Sequence, residues 1–384
     1  MKVSQIYDLM NKVTNEVLGK NDLIAEDLSN VVDVGTELFN VSSADNFVRS
    51  LVDHIGKVIF VNRPYSASLP SVLRDGWEFG AACEKITMDL PDAEENETWK
   101  LQENASYDPN IFYKSTVSVK FYQNRITFEI PISIADRQVK SAFSNPTQLN
   151  QFISMIYSMV DRSLSIKIDS LILRTINNFI GETIYNEYKG ADLSTKSGVR
   201  AVNLLYLYNQ HFNQTLTADK AMTDKDFIRY ASMTMSNYID RLQNISTLFN
   251  MGGKDRFTSK DLLHCVMLSD FESAADMYLQ SSTFHDKLTA LPMHEKVSYW
   301  QGSGTDYRFN SISKIHVNTS ENHEITASGI LCVMFDHDAL GVSNTDRRTT
   351  SNWNPKGEFY NNWYKYDAGY WNDFNENFIV FFIA

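Results

Sequence analysis

The clearest pattern in the sequence is a run of apolar residues at helical spacing near its middle. The run begins at Leu149 and continues to about Tyr188 without a proline and with a single glycine. Ser144 or Asn145 can cap a helix there, with Pro146 at its first position, where proline is favoured. The pattern predicts one helix of about forty residues, on the order of 60 Å long.

Two stretches with the alternation of β-strands precede this helix. The segments GWEFGAACEKITMDL and STVSVKFYQNRITFEIPISI carry β-branched and aromatic residues at a period of two. Between them lies a polar, acidic and turn-rich segment. The pattern predicts a long two-stranded hairpin over residues 64–134 with a charged tip. Such a hairpin needs another surface to lie on, because it is not stable alone in water.

The remaining sequence predicts a terminal helix, a mixed domain and a buried last strand. Apolar residues at helical spacing predict a helix over residues 1–19, which must dock on its own chain or on a neighbour. Residues 197–340 alternate a capped helix from Thr223 with strands at DLLHCVML, SKIHVNT and GILCVMF. The closing NFIVFFI is continuously apolar, as in strands buried on both faces.

Composition and charge exclude several classes of protein. The chain is 43% hydrophobic and 21% charged, which argues against disorder, and its net charge of −12 argues against a strong nucleic-acid-binding surface. The three cysteines lie far apart, which is not a disulfide framework and fits a reducing compartment. The N-terminus lacks the apolar segment of a secretory signal, and no apolar run is long enough to span a membrane.

Candidate chemistry is sparse. No P-loop, dinucleotide fingerprint, nucleophile elbow or zinc-protease motif is present. Asp336, His337 and Asp338 could offer metal ligands, but a strand would send the histidine to the opposite face, so a turn is the better interpretation. His264 beside Cys265 is expected in a packed strand. The sequence therefore predicts no catalytic residues, no metal and no cofactor.

The order of segments resembles the major capsid proteins of tailed bacteriophages, which have the Hong Kong 97-type fold. The resemblance covers essentially the whole chain, and SLPSVLRDGWEFG, SYDPNIFYK, TFEIPISI and NPKGEFYNNWYKYDAGYWND are similar to members from phages of Gram-positive hosts. It implies an α+β fold. Its parts are an N-terminal arm (1–63), an E-loop hairpin (64–134), a P-domain with the spine helix (135–196), an A-domain (197–340), P-domain return strands (341–376) and a final strand (377–384).

The resemblance also implies a function and partners. A protein of this kind is not an enzyme; it self-assembles as hexamers and pentamers into the icosahedral head shell, which encloses double-stranded DNA without specific binding. It assembles in the host cytoplasm and ends in the virion. The expected partners are a portal, in some shells a decoration protein, and a scaffolding protein. The scaffolding protein is expected to be separate, because a hairpin that starts by about residue 64 leaves no room for a built-in scaffold.

Intersubunit contacts are expected in the hairpin and in the aromatic tail, where eleven of the last 31 residues are Phe, Tyr or Trp. Large aromatic residues are favoured interface anchors. The expected contact residues are Trp77, Phe79, Glu94, Glu95, Trp99, Arg347, Arg348, Trp353, Tyr360, Trp363, Tyr364, Tyr366, Tyr370 and Trp371. Some shells of this kind carry a lysine–asparagine crosslink; the candidates here, without an expectation that it forms, are Lys85, Lys100 and Lys114 with Asn354, Asn361 and Asn362.

The sequence leaves two alternative classes of protein open. An encapsulin-type compartment shell shares the fold, but its hairpin is generally shorter and its chain smaller. A secreted carbohydrate-binding or hydrolytic protein could use the aromatic tail as a sugar platform. The absent signal peptide and the absent catalytic dyad argue against the second alternative.

Overall fold

The structure is a computed structural model of the 384-residue chain. It describes residues 3–18, 24–25, 30, 33–34, 50, 69–74, 83–88, 103, 110, 112, 114, 117–142, 145–278, 294–302, 306, 308–318 and 323–384. The chain divides into two compact units, each built from three separate stretches of sequence. Unit 1 comprises Met1–Ala81, Asn124–Leu173 and Val342–Tyr370, and unit 2 comprises Ala82–Gln123, Arg174–Gly341 and Trp371–Ala384.

The described elements mix helices and strands. The helices are α1 (Val3–Leu18), α2 (Asp136–Ala142), α3 (Pro146–Tyr188), α4 (Leu204–Phe212), α5 (Ala218–Ala221), α6 (Lys225–Leu242), α7 (Ser269–Tyr278) and α8 (Phe309–Ile312). The strands are β1 (Leu73–Arg74), β2 (Cys83–Met88), β3 (Val117–Tyr122), β4 (Arg125–Ala135), β5 (Ala201–Asn203), β6 (Leu263–Leu268), β7 (Glu295–Val297), β8 (Ile315–Asn318), β9 (Glu324–Ala327), β10 (Ile330–Asp336), β11 (Leu340–Asn354), β12 (Phe359–Asn372) and β13 (Phe378–Phe382).

The helices predicted from apolar spacing are present. The long helix α3 has 43 residues, and the side chain of Asn145 accepts a hydrogen bond of 2.8 Å from the backbone N–H of Thr147, as an N-cap does. Helix α6 begins two residues later than predicted from Thr223. Its cap is Asp224, whose carboxylate accepts hydrogen bonds from two backbone N–H groups of the first turn.

The terminal helix α1 is also confirmed. Its residues Met10 and Val13 are fully buried, and the side-chain oxygen of Asn11 accepts a hydrogen bond of 3.2 Å from the backbone of Ile24. Because no second copy is present, this burial comes from the chain itself. The sequence left open whether this helix docks on its own chain or on a neighbour, and the structure shows that it packs against its own chain.

The sheet of unit 1 corrects the extent of the predicted hairpin. Its strand order is β1-β11-β12-β4, and β12 pairs antiparallel with β4 from Phe359 opposite Ala135 to Gly369 opposite Arg125. Residues 125–134, which were expected in the hairpin, therefore pair with a strand from near the C-terminus. The physical reason is burial: β4 alternates isoleucine and phenylalanine along one face, and the inward tyrosines of β12 extend an apolar surface that a free hairpin lacks.

Unit 2 contains a five-stranded sheet that includes the last strand of the chain. The strand order is β5-β13-β10-β6-β7, and β13 runs antiparallel to β10 and parallel to β5. Every residue from Phe378 to Phe382 is buried, which confirms the prediction for NFIVFFI. The strands β6 and β10 are confirmed as well, and helices α4, α6 and α7 contribute the rest of this core.

Candidate assembly interface

The hairpin of unit 2 has one polar and one apolar face. Strands β2 and β3 pair antiparallel, with Cys83 opposite Tyr122 and Met88 opposite Val117. Directly opposite residues share a face, and successive residues alternate between faces. The polar face carries Lys85, Thr87, Ser118, Lys120 and Tyr122, and the mainly apolar face carries Ile86, Val117, Val119 and Phe121, with Glu84 opposite Phe121 in the register.

The apolar face is the exposed one. Ile86 is 65% exposed, Val117 55%, Val119 45% and Phe121 60%. Strand β3 therefore alternates exposed apolar residues with partly buried polar ones. An antiparallel sheet with one solvated face normally turns its polar side outward. A contiguous apolar face on the surface marks an interaction site or an aggregation hazard.

The polar face is held at its base by carboxylates from the turn between β12 and β13. Lys85 and Lys120 lie directly opposite each other, an arrangement that is repulsive on its own. Asp373 lies between them, with Oδ1 2.7 Å from Lys120 Nζ and Oδ2 2.9 Å from Lys85 Nζ. Lys85 Nζ also donates a hydrogen bond of 2.8 Å to Glu376 Oε1.

A third cation joins from another part of unit 2. Arg256 Nε lies 3.3 Å from Glu376 Oε1, the same oxygen that accepts from Lys85. The backbone of Arg256 is fixed by two hydrogen bonds with Ser246. We refer to Lys85, Lys120, Arg256, Asp373 and Glu376 as the ion cluster. It brings together three basic and two acidic side chains.

Burial and charge act in opposite directions within the ion cluster. Burial raises the pKa of Asp373, but the nearby ammonium groups of Lys120 and Lys85 outweigh it and hold that pKa below its usual range. Burial lowers the pKa of Lys85, but Glu376 and Asp373 outweigh that effect and raise it. The Asp373 side chain is 1% exposed, so solvent screens these interactions weakly. Both residues are charged across the neutral pH range.

An aromatic contact adjoins the ion cluster. The rings of Tyr122 and Trp371 lie with their centroids 6.3 Å apart. A side chain at Gly341 would overlap the Trp371 ring, so glycine is needed there for the close approach. Trp371 is therefore a buried anchor within unit 2.

The expected contact residues fall into three groups. Trp77, Phe79, Glu94, Glu95, Trp99 and the side chain of Arg347 lie outside the described residues. The side chains buried within the chain are those of Tyr360, Tyr364, Tyr366 and Trp371. Those of Trp353, Trp363 and Tyr370 are half-buried, and that of Arg348 is exposed. Burial gives the second group a role in the core of its own chain, and intersubunit contacts by the other ten residues stay a prediction.

Arg348, one of the expected contact residues, has acidic partners within its own chain. Its Nη1 lies 2.6 Å from Asp346 Oδ2 and 2.6 Å from Asp367 Oδ2. Burial raises the pKa of Asp367, whereas hydrogen bonds from Thr127 and Arg348 lower it, with a net decrease. A strand places residues 346 and 348 on one face, which is why the near partner is local.

Sequence reasoning missed Asp373, Glu376 and Arg256. Lys85 was considered only as a crosslinking candidate, and it lies with carboxylates instead. One signal could have pointed to the turn. The segment NDFNENF places two acids between a strand rich in aromatic residues and a fully apolar one, where an acid needs a nearby cation.

The residues considered for metal binding have structural roles. Asp336 Oδ1 accepts from the backbone N–H of Asp338 at 2.9 Å and its Oδ2 from Thr258 Oγ1 at 2.7 Å, which confirms the turn. His264 lies in strand β6, with Nε2 2.9 Å from His337 Nδ1. Within the described ranges, no group of three or more potential ligands could hold a metal, and no helix is long and apolar enough to cross a membrane.

Comparisons with known proteins agree on one class. A model of the Phi29-like phage major capsid protein family matches residues 10–382. The major capsid protein of Bacillus phage GA-1 is 24% identical over 202 residues, which cover 48% of this chain and 38% of that protein. The major capsid protein of Bacillus phage B103 is 25% identical over 202 residues, which cover 51% of this chain and 43% of that protein. The chain thus spans less than half the length of the curated relatives it matches.

Solved structures that resemble the chain also come from phage capsids. One from the capsid structure of Staphylococcus phage Andhra covers 81% of this chain and 83% of its own, at 10% identity and a TM-score of 0.49. Another, from the mature capsid of bacteriophage PhiM1, covers 84% of this chain and 88% of its own, at 7% identity and a TM-score of 0.43.

The described elements define an α+β protein, and the matched sequence defines a phage capsid protein. The chain belongs to the Phi29-like phage major capsid protein family. The predicted class is therefore confirmed, and neither the encapsulin-type nor the carbohydrate-binding alternative gains support. The segment bounds expected from the resemblance remain a prediction, apart from the hairpin correction above.

Proposed function

We propose that this chain is a non-enzymatic shell subunit that assembles with copies of itself, as hexamers and pentamers, into the closed head of a phage virion. Family membership supports the proposal, since the relatives are major capsid proteins. The observation that carries it is the outward apolar face of the hairpin. Such a face needs a cover, and a repeating lattice of identical subunits supplies one at every position.

The occupant of this face is a second copy of the chain. Helix α3 offers a complementary surface, because Met155, Met159 and Ile166 are exposed along its outer side. Methionine adapts well to a partner of irregular shape. A hairpin of one copy on the helix of the next is a head-to-tail contact, and such contacts form rings when the rotation closes. Arg348, Trp353, Trp363 and Tyr370 remain candidates for further contacts.

The net charge of −12 suits a container better than a DNA-binding protein. Walls that repel DNA leave the packaged genome free to enter and leave. A separate scaffolding protein, a portal and, in some shells, a decoration protein complete the proposed set of partners. Assembly would take place in the host cytoplasm, with no cofactor required.

The test is expression of the full chain, alone and with its neighbouring genes, followed by electron microscopy of the soluble fraction. Closed shells, or rings of five and six subunits, are the expected result. A persistent monomer or dimer under both conditions would contradict the proposal.

A matched pair of variants connects the test to the hairpin. Val119 lies on its apolar face and is 45% exposed, whereas Val199 lies elsewhere in unit 2 and is 41% exposed. Val119→Lys should abolish closed shells because it places a charge in the buried contact. Val199→Lys should assemble as the unmodified chain does. Equal assembly by both variants would remove the hairpin face from the interface.

A further inference from the structure

We propose that the ion cluster positions the hairpin for assembly, so that its five side chains are positioning residues for the shell contact. This inference rests on the proposed shell function. It adds a specific role for Lys85, Lys120, Arg256, Asp373 and Glu376, which the apolar face alone does not explain.

The cluster holds both strands of the hairpin at the same level. Lys85 belongs to β2 and Lys120 to β3, and the two residues are register partners. Asp373 contacts both, at 2.9 and 2.7 Å. A tie to one strand would leave the hairpin free to rotate about that strand. Ties to both strands fix the direction of the hairpin within unit 2, and with it the direction of the apolar face.

The position is set by three parts of the chain that are distant in sequence. Lys85 and Glu376 are 291 residues apart, and Arg256 approaches the same Glu376 oxygen from a loop closed by its hydrogen bonds with Ser246. The intact cluster has three positive and two negative side chains, so removing either carboxylate increases the excess of positive charge at the base of the hairpin. Without Asp373, Lys85 and Lys120 would repel each other across the strand pair.

The cluster contributes to positioning more than to the core. The core of unit 2 consists of the five-stranded sheet with α4, α6 and α7, and all three cations of the ion cluster retain partial solvent access. A two-stranded hairpin is not stable by itself, so its orientation depends on its anchors. A lysine ammonium is a point charge on a flexible stem, and it keeps its contact through small changes of tilt. Ionic anchors thus hold a direction while tolerating small differences between subunit environments.

The test uses the full chain with Asp373→Asn, which keeps the shape of the side chain and removes its charge. Lys120→Met removes the other side of the same contact at a more exposed position. Lys120→Arg keeps the charge and serves as the rescue. Lys296→Met is the matched control, since it removes a lysine 3.2 Å from Glu272 elsewhere in unit 2.

Two readouts are needed. The first is the distance between spin labels on unnatural amino acids at Val117, in the hairpin, and Met233, in α6, measured on unassembled subunits. The second is the yield of closed shells by electron microscopy. We expect Asp373→Asn and Lys120→Met to broaden the distance distribution and to lower shell yield about tenfold or more, the change that 1.4 kcal/mol produces in an equilibrium constant. Lys120→Arg and Lys296→Met should match the unmodified chain in both.

Each outcome decides the question. An unchanged distance distribution together with normal shells in Lys120→Met overturns the inference, and so does a failure of Lys120→Arg to rescue. If Asp373→Asn fails to fold, Lys120→Met alone decides. If the unmodified chain forms no shells, the proposed function fails, while the distance measurement on subunits still tests whether the cluster holds the hairpin.

Discussion

Strands β3 and β12 carry similar alternating patterns but orient them in opposite ways. In β12 the large rings of Tyr360, Tyr364 and Tyr366 point inward and are at most 3% exposed. In β3 the apolar Val119 and Phe121 point outward, and Lys120 between them belongs to the ion cluster. Alternation therefore specifies that a strand has two faces. Which face is buried depends on what the rest of the same chain offers as cover.

The two strands differ in their neighbours. Strand β12 lies between β11 and β4, and β4 brings its own alternating apolar residues to the same sheet. Strand β3 pairs only with β2 among the described strands, and Asp373, from the turn between β12 and β13, contacts Lys120 on its polar side. The chain thus completes the core around β12 by itself. It leaves the apolar face of β3 exposed, which the proposed shell contact would cover.

Truncating an inward ring of β12 should have the largest effect on the unassembled subunit. Tyr364→Ala removes a side chain that is 1% exposed, and such a cavity costs about 3–5 kcal/mol in the free energy of unfolding. Urea unfolding of the subunit, followed by tryptophan fluorescence, measures this value. A loss below about 1 kcal/mol would show that the β12 face is not a true core and would remove the contrast with β3.

Local pattern was sufficient for the elements that bury themselves. The helix α3 from Pro146 was predictable because helical spacing continues over many turns, and the strand β13 because its apolar run is short and rich in aromatic and β-branched residues. The family itself was recognisable from the order of segments. The helix and the strand depend on residues close together in sequence, whereas the family was recognised from the order of segments along the whole chain.

Pairings between distant residues were not predictable. Strand β4 was assigned to the hairpin because it follows β3 directly. Its partner is β12, near the other end of the chain, with Trp363 opposite Pro131. The ion cluster has the same origin, since nothing near Lys85 indicates a carboxylate 291 residues away. The aromatic tail was expected to supply contacts throughout, but alternation could not show that Tyr364 and Trp371 would be buried within their own chain.

Acid should weaken the ion cluster that holds the hairpin, and the expected loss of unfolding free energy is smaller than that for Tyr364→Ala. Because the pKa of Asp373 in the folded chain is below its usual 3.8, its contribution to stability is fully present above that value and is lost as the pH falls through the lowered pKa. The difference in unfolding free energy between the unmodified chain and Asp373→Asn, about 1–3 kcal/mol at neutral pH, should therefore shrink below pH 3.8.

Chemical denaturation of both proteins over a series of pH values measures that difference. At alkaline pH, stability changes with pH in the opposite direction. The contribution of Lys85 to stability is fully present below its usual pKa of 10.5 and is lost as the pH rises through the raised pKa. A difference that stays constant from neutral to strongly acidic pH would mean that Asp373 does not act through its charge.

Truncating an outward residue of β3 should have the smallest effect on the subunit and a severe effect on the shell. Phe121 is 60% exposed, so Phe121→Ser should change the unfolding free energy of the unassembled chain by no more than about 0.5 kcal/mol. In the proposed lattice the same ring would be buried at every hairpin, and its loss would be repeated across the particle. Sedimentation of assembled material against free subunit separates the two effects. A stable subunit that no longer assembles is the expected result, whereas a subunit destabilised as much as Tyr364→Ala would show that both strands bury their rings within one chain.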